Sequence, residues 1–160
     1  MSASISSWGS AAEILASSGV PEKTSYYREF TREEQKAVLT IGMRIEAAWA
    51  ANDAEMFASV FTEDGSLLMR DEQLTSRSEI RAYMARGFGG PYKGARVTGW
   101  PLLVKFLGPD AALFVTQGGI LLAGEEIVHP DREIRAVWVV VRRGPGKLEL
   151  LSHQSSPIRG

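Results

Sequence analysis

The first half of the chain carries its apolar residues at the spacing of helices. One set recurs every three or four positions and predicts an amphipathic helix over roughly residues 33–51: Val38, Ile41, Ile45, Ala48 and Trp49. Thr31 and Glu34 stand at the spacing of a capping box, which predicts that this helix begins beside them. Asp53 follows as the cap of a short second helix, so the two helices are expected to form a corner.

Further helices are predicted from their caps. Ser76 and Glu79 stand three residues apart at the start of a third helix, which a glycine ends. Ser10 and Glu13 repeat this spacing near the N-terminus and predict a short helix over about 11–18. The serine-rich composition around it leaves a partly disordered arm as the alternative.

The second half of the chain shows the pattern of strands separated by glycine and proline. GSLLM is a short strand after a TEDG turn, and four longer strands follow at 96–107, 111–123, 132–143 and 147–155. Because helices come first and a meander follows, the predicted fold class is α+β, with three N-terminal helices packed on a strongly curved antiparallel sheet.

Residues 136–141 are apolar without a break, where a strand with one wet face should alternate. This run predicts burial on both faces of the strand. Helices can cover one face, and a second copy of the chain is the simplest cover for the other, so we expect a homodimer through the outer sheet face. A middle strand that is buried on both faces within one chain is the alternative.

Composition narrows the class of protein. The 160 residues fit one domain, which we place at 31–160 after an arm at 1–30. The formal charge of -1 argues against nucleic acid as a partner. The chain has no cysteine, which excludes disulfides and thiolate chemistry. No apolar run is long enough to span a membrane and no secretory signal is evident, so a cytoplasmic protein is expected.

Several segments carry a resemblance to a known group of proteins: AAWAANDAEMFASVFTEDGSLL, RSEIRAYM, LLVKFLGPDAAL, REIRAVWVVVRR and LELLSHQSS. In this order they resemble the nuclear transport factor 2-like superfamily over about residues 32–156, and within it the SgcJ/EcaC-type group, which is related to SnoaL-like cyclases and associated with enediyne antibiotic biosynthesis. One departure is Leu148, where many relatives carry a tryptophan near the start of the last strand.

The resemblance implies a cone-shaped α+β barrel in which helices and a concave sheet enclose an apolar pocket. It implies a pocket protein of secondary metabolism that needs no cofactor and acts on a hydrophobic polyketide or polyene intermediate, by cyclase- or isomerase-like acid–base chemistry. The alternative is a non-catalytic binding or accessory protein that holds the intermediate or contacts the polyketide synthase. Fold alone does not decide between them.

His153 is the first candidate for chemistry, because imidazole titrates near neutrality and both donates and accepts protons. It matches the histidine that ends the last strand in the family pattern, and Gln154 beside it is a candidate ligand-binding residue. The direction of His153 is open. If Leu148, Leu150 and Ser152 line the pocket, simple alternation sends His153 to the other face, unless a bulge intervenes.

Arg135 and Gln117 are polar residues in otherwise apolar strands. Arg135 matches an arginine of the family pattern and is a candidate catalytic group that would stabilise an enolate; a structural ion pair with Asp64 or Glu133 is the alternative. Gln117 is a candidate anchor in the pocket, with a surface position as the alternative. Five aromatic residues are candidate ligand contacts or core residues: Trp49, Phe57, Phe61, Tyr83 and Trp138.

Other kinds of site do not fit the spacing. The glycine-rich segment 87–94 lacks the pattern of a dinucleotide loop and is a candidate lid. His129, Asp131 and His153 are too sparse for a metal site. No flavin, nicotinamide, haem or metal signature is present, so no cofactor is expected.

Overall fold

A computed structural model describes residues 7–70 and 72–159. The helices are α1 (Ala11–Ser18), α2 (Glu33–Ala51), α3 (Ala54–Ser59) and α4 (Arg77–Phe88). The strands are β1 (Phe61–Met69), β2 (Glu72–Leu74), β3 (Arg96–Gly108), β4 (Ala111–Leu121), β5 (Glu133–Gly144) and β6 (Lys147–Pro157), and short 3₁₀ turns lie at Thr24–Tyr27 and Pro130–Arg132. None of the helices in these ranges is long and apolar enough to cross a membrane.

Side-chain caps begin three of the four helices where the sequence predicts them. The side chains of Ser10, Asp53 and Ser76 each accept a hydrogen bond from a backbone N–H in the first turn of α1, α3 and α4. The expected box of Thr31 and Glu34 is wrong. The N-cap of α2 is Arg32, whose backbone N–H donates to the side-chain oxygen of Gln35 at 3.2 Å.

The six strands form one sheet in the order β2-β1-β6-β5-β4-β3. The predicted α+β class is confirmed, and so is the antiparallel meander from β3 to β6. β1 pairs in parallel with β6. Such a pairing needs a long connection, which α4 and the strands between β1 and β6 provide. The expected TEDG turn is wrong: these residues belong to β1, and β2 is an additional short edge strand.

The N-terminal segment contributes to the core where the structure describes it. α1 forms as predicted, and its buried residues Ala11, Ile14 and Leu15 are joined in the core by Trp8 and Val20. The alternative of a disordered arm is therefore wrong for residues 7–30, while residues 1–6 lie outside the described part. The domain boundary at residue 30 stays a prediction.

The apolar run in β5 has one buried face and one open face. Ala136, Trp138 and Val140 point into the core and are buried. Val137 is 41% exposed, and Val139 is half-buried, on the other face. Burial of both faces within one chain is therefore wrong, and the second copy stays a prediction.

Candidate functional site

A cavity of about 650 Å³ lies between the helices and the concave face of the sheet. Its wall is mostly apolar, and both layers contribute to it: Ile45, Trp49, Phe57, Phe61, Leu67, Met69, Val97, Ile120, Leu122, Ile134, Ala136, Trp138 and Leu150. Exposed lining residues, among them Arg70, Pro91 and Asp131, mark where the cavity opens. A concave apolar site with few polar groups is the usual form of a small-molecule site.

An aromatic cluster forms the helical side of this wall. Trp49 on α2 makes edge-to-face contacts with Phe57, Phe88 and Tyr92, with ring centroids 5.2–6.2 Å apart. Phe57 also contacts Phe61 at 5.5 Å. The predicted aromatics Trp49, Phe57 and Phe61 therefore line the cavity together, in rigid positions set by their mutual packing.

A β-bulge in β6 decides the direction of His153. Leu150 pairs with the inward-facing Val140, whereas His153 pairs with the inward-facing Trp138, so Leu151 between them is an extra residue in the strand. Leu150 and His153 consequently point to the same face although they are three positions apart. Simple alternation would have sent His153 outward, and the bulge brings it to the cavity wall.

His153 is held in an apolar setting. Its ring stands edge-on to the ring of Trp138, with centroids 4.4 Å apart. Leu67 of β1 is the residue opposite His153 in the sheet. The side chain is half-buried because part of the ring faces the cavity, while its Nδ1 atom is buried and has no hydrogen-bond partner among the described residues. Enclosure lowers the pKa of His153 to about 4, so the imidazole is neutral at pH 7.

Thr116 adds a hydroxyl to the same wall. It lies on the inward face of β4 after the buried Ala112 and Phe114, and the indole Nε1 of Trp138 donates to its Oγ1 at 2.8 Å. Because the hydroxyl accepts this bond, its own proton is left to donate to a ligand oxygen. Sequence reasoning missed Thr116, although a polar residue two positions after buried apolar ones was a signal for an inward position.

Glu46 and Tyr26 also line the cavity and were missed. Tyr26 is buried in the 3₁₀ turn, and its hydroxyl packs where a Cβ at Gly42 of α2 would stand. Glu46 follows one turn later on α2, and its side chain is 18% exposed. A glycine inside a long helix was the sequence signal for this close approach, whereas a glutamate on an amphipathic helix suggests only a solvated face.

Arg135 and Gln117 lie on the outer face of the sheet. They alternate with the inward Ala136 and Thr116, and the Nε of Arg135 donates to Oε1 of Gln117 at 3.3 Å. The surface position considered for Gln117 is the one observed. The ion pair of Arg135 with Asp64 or Glu133 does not form in the described structure.

Two more predicted ligand contacts lie away from the cavity wall. Tyr83 is half-buried on α4, with the guanidinium of Arg86 5.9 Å from its ring centroid. Gln154 alternates with His153 and Ser155, and its Nε2 is 3.5 Å from Oγ of Ser152 on the outer face. Of the predicted site, the structure therefore brings together His153, Trp138, Trp49, Phe57 and Phe61.

The glycine-rich segment after α4 supplies two wall residues. Pro91 and Tyr92 line the cavity, and Tyr92 packs against Gly87 where a side chain would collide with its ring. Its movement as a lid stays a prediction. Over residues 7–70 and 72–159, no three His, Asp or Glu side chains come together in a group that could hold a metal ion.

Comparison with known proteins identifies the fold. No protein-family model matches the chain, and no curated protein matches it. Several solved structures do match the chain. A protein of unknown function with a cystatin-like fold from Nostoc punctiforme has a TM-score of 0.71 at 22% identity, over 81% of this chain and 80% of that one.

Two further structures carry the name of the fold family. An NTF2-like protein with a cystatin-like fold from Novosphingobium aromaticivorans has a TM-score of 0.64 at 18% identity, over 77% of this chain and 80% of that one. A candidate dehydratase from the NTF2-like family of Streptomyces avermitilis has a TM-score of 0.59 at 22% identity, over 77% and 94%. The chain therefore has the cystatin-like, NTF2-like fold.

Proposed function

We propose that the chain binds a hydrophobic small molecule in the cavity and that His153 meets an oxygen atom of this ligand. The imidazole of His153 in the cavity wall carries the proposal, because part of its ring faces the cavity and the wall around it is mostly apolar. A single polar ring in such a wall is the kind of group that fixes the orientation of a bound molecule.

The chemistry we propose is proton transfer without a cofactor, of the cyclase, isomerase or dehydratase kind. A neutral imidazole can donate a hydrogen bond to a carbonyl oxygen and stabilise the enolate that forms on it. The hydroxyl of Thr116 is a second donor in the same wall. Arg135 and Gln117 take no part in this proposal, because their side chains lie on the outer face.

The ligand class we propose is a polyketide or polyene intermediate of secondary metabolism, such as an enediyne precursor. A cavity of about 650 Å³ lies within the usual range for drug-sized ligands. Its aromatic wall suits an extended unsaturated chain, whose few oxygen atoms need only the few polar groups present. The segments that resemble the SgcJ/EcaC-type group support the same class.

A non-catalytic protein that holds the intermediate, or assists a polyketide synthase, is the second candidate. It is favoured by the mostly apolar wall of the cavity. The two candidates differ in what His153 does: a catalyst needs it for turnover, whereas a carrier needs mainly apolar contacts such as those of Trp138.

Native mass spectrometry after co-expression with polyketide machinery tests the proposal. Wild type should retain a small molecule, and the chemically altered product should disappear in His153→Ala while the unaltered ligand stays bound. Gln154→Ala is the matched control, because Gln154 neighbours His153 but points to the outer face. Retention of unaltered ligand by wild type would favour the carrier, and an empty cavity in every sample would contradict both candidates.

We also propose a homodimer through the outer sheet face. In register, Leu103, Val115 and Val137 form one row across β3, β4 and β5, and Leu113 with Val139 continues the next row. Their side chains are half-buried or exposed, with Leu103 at 37% and Val137 at 41%. A contiguous apolar surface of this kind is unusual on a monomer and typical of a subunit interface.

A further inference from the structure

Glu46 is a titratable group in the wall of the cavity, on the helical side. It projects from α2, whereas His153 projects from the concave face of the sheet that α2 covers. Its carboxyl is largely enclosed, with 18% of the side chain exposed, and its Oε1 accepts a hydrogen bond from Nζ of Lys23 at 3.4 Å. The ligand space thus has a carboxylate on one wall and a neutral imidazole on the other.

The surroundings of Glu46 suit a base. Burial raises the pKa of Glu46 more than the neighbouring Lys23 lowers it, so the carboxylate holds a proton more tightly than an ordinary one. Lys23 lies beside the carboxylate and lowers the pKa of Glu46, which favours the ionised form in the resting protein. Tyr26, which also lines this wall, stays protonated because burial and the charge of Glu46 raise its pKa.

We propose that Glu46 is the catalytic base of the cavity and removes a proton from the carbon next to a carbonyl group, while His153 donates a hydrogen bond to the carbonyl oxygen. This inference rests on the proposed function of the cavity. It narrows the ligand to an apolar molecule with an enolisable ketone or thioester. Sequence reasoning assigned no role to Glu46.

The electron pairs balance without a co-reactant. The C–H bond breaks and its proton goes to the carboxylate of Glu46; its electron pair forms the new C=C bond, and the carbonyl π pair moves to the oxygen. Collapse of the enolate returns a pair to carbon, and Glu46 gives the proton back. If a neighbouring double bond makes the enolate a dienolate, return of the proton at another carbon is isomerisation. If the ligand carries a β-hydroxyl, the enolate pair forms the Cα–Cβ double bond as the Cβ–O bond breaks, and Glu46 gives its proton to the departing hydroxyl, which leaves as water.

Hydrogen–deuterium exchange of 2-tetralone in D₂O tests the base directly. This bicyclic ketone is apolar, fits the cavity volume and has acidic protons next to its carbonyl. Its binding is followed by quenching of tryptophan fluorescence, and its exchange by NMR. We expect saturable acceleration of exchange by wild type, and a loss of about 10²–10⁴-fold in Glu46→Gln, with an unchanged dissociation constant for 2-tetralone.

The variants separate a catalytic from a structural role. Glu46→Asp should retain part of the exchange rate, and Lys23→Met should keep the exchange but shift its pH midpoint upward, because the lysine lowers the pKa of Glu46. Gln154→Ala is a control outside the cavity. The titration of Glu46, followed by NMR of ¹³C-labelled glutamate with Glu46→Gln for assignment, gives a second readout that requires no ligand.

The outcomes distinguish this inference from the proposed function. If 2-tetralone binds and Glu46→Gln exchanges it as fast as wild type, Glu46 is not the base and the binding function stands. If wild type binds 2-tetralone without accelerating exchange, the inference is likewise overturned. If 2-tetralone does not bind, the proposed cavity function fails for carbonyl ligands and the inference fails with it. A Glu46 carboxyl that titrates like an exposed glutamate would also contradict the inference.

Discussion

At the scale of single residues, the imidazole of His153 lowers the stability of the fold. Its buried Nδ1 lacks a partner in the described structure, so replacing the imidazole by an apolar ring removes a penalty. We expect His153→Phe to raise the free energy of unfolding by about 1–2 kcal/mol and the melting temperature by roughly 2–4 °C per kcal/mol. Calorimetry measures both.

The matched control for this prediction is Ser155→Ala, at the next inward position of β6. We expect it to change stability by less than about 0.5 kcal/mol. A melting temperature of His153→Phe at or below that of wild type would show that the imidazole is already satisfied in the folded protein.

The same residue predicts how stability depends on pH. The pKa of His153 is lowered from 6.5 to about 4, so between these values the unfolded chain binds a proton that the folded chain does not. The folded state is therefore favoured above pH 6.5, and this advantage is lost as the pH falls toward 4, by up to about 3 kcal/mol.

Denaturant unfolding of wild type and His153→Phe from pH 4 to 7 checks this slope. The free energy of unfolding of His153→Phe should exceed that of wild type by a growing amount as the pH falls. Ser155→Ala, which removes no titratable group from the same wall, should keep the wild-type slope. Parallel pH profiles for wild type and His153→Phe would refute the prediction.

The sequence predicts least well which side chains point into the cavity and which point outward. The residues around β5 are apolar on both faces, so nothing in their pattern says that Arg135 points outward and Trp138 inward. His153 lies inward only because Leu151 is an extra residue in the strand, and bulges depend on pairing with a neighbour far along the chain. Glu46 was missed because a charge on a helix ordinarily faces water.

At the scale of elements, the sequence predicts well what is decided locally. Caps at Ser10, Asp53 and Ser76 begin α1, α3 and α4 as expected, because a side chain and a backbone N–H three residues apart suffice for them. The four long strands also lie within a few residues of their predicted positions. The parallel pairing of β1 with β6 was not predicted, since no local pattern specifies a partner almost ninety residues away.

Gly42 gives a test of how α2 fixes the cavity wall. A Cβ at this position would collide with the hydroxyl of Tyr26. Overpacking costs about 1–3 kcal/mol. Alanine gains about 1 kcal/mol over glycine from helix propensity. We expect Gly42→Ala to lower the free energy of unfolding by about 1 kcal/mol, measured by denaturant titration.

A double-mutant cycle identifies the cause. Tyr26→Phe removes the oxygen that the new methyl group would meet, so the cost of Gly42→Ala should shrink in that background. An equal cost in both backgrounds would show that the loss comes from elsewhere in α2, and that Tyr26 does not require the glycine.

At the scale of the whole molecule, the fold explains why the two faces of the sheet differ. The helices cover the concave face, and the space that they leave open is the cavity. The convex face is left with Leu103, Val115 and Val137 in one row, and none of the helices in residues 7–70 and 72–159 covers it. The unbroken apolar run in β5 thus contributes to two different surfaces, and the inner one lines the cavity.

This arrangement predicts a dimer that a single charge disrupts. Val137 is 41% exposed at the middle of the outer row, so Val137→Lys would place a charge in the interface. We expect wild type to sediment at twice the chain mass of 17.5 kDa, and Val137→Lys to sediment as a monomer at micromolar concentration. Ile127→Lys is the matched control, because Ile127 is 80% exposed but lies in the loop between β4 and β5, and it should leave the dimer intact. Wild type that stays monomeric at all concentrations would contradict the dimer, whereas dissociation by both variants would move the interface away from the sheet face.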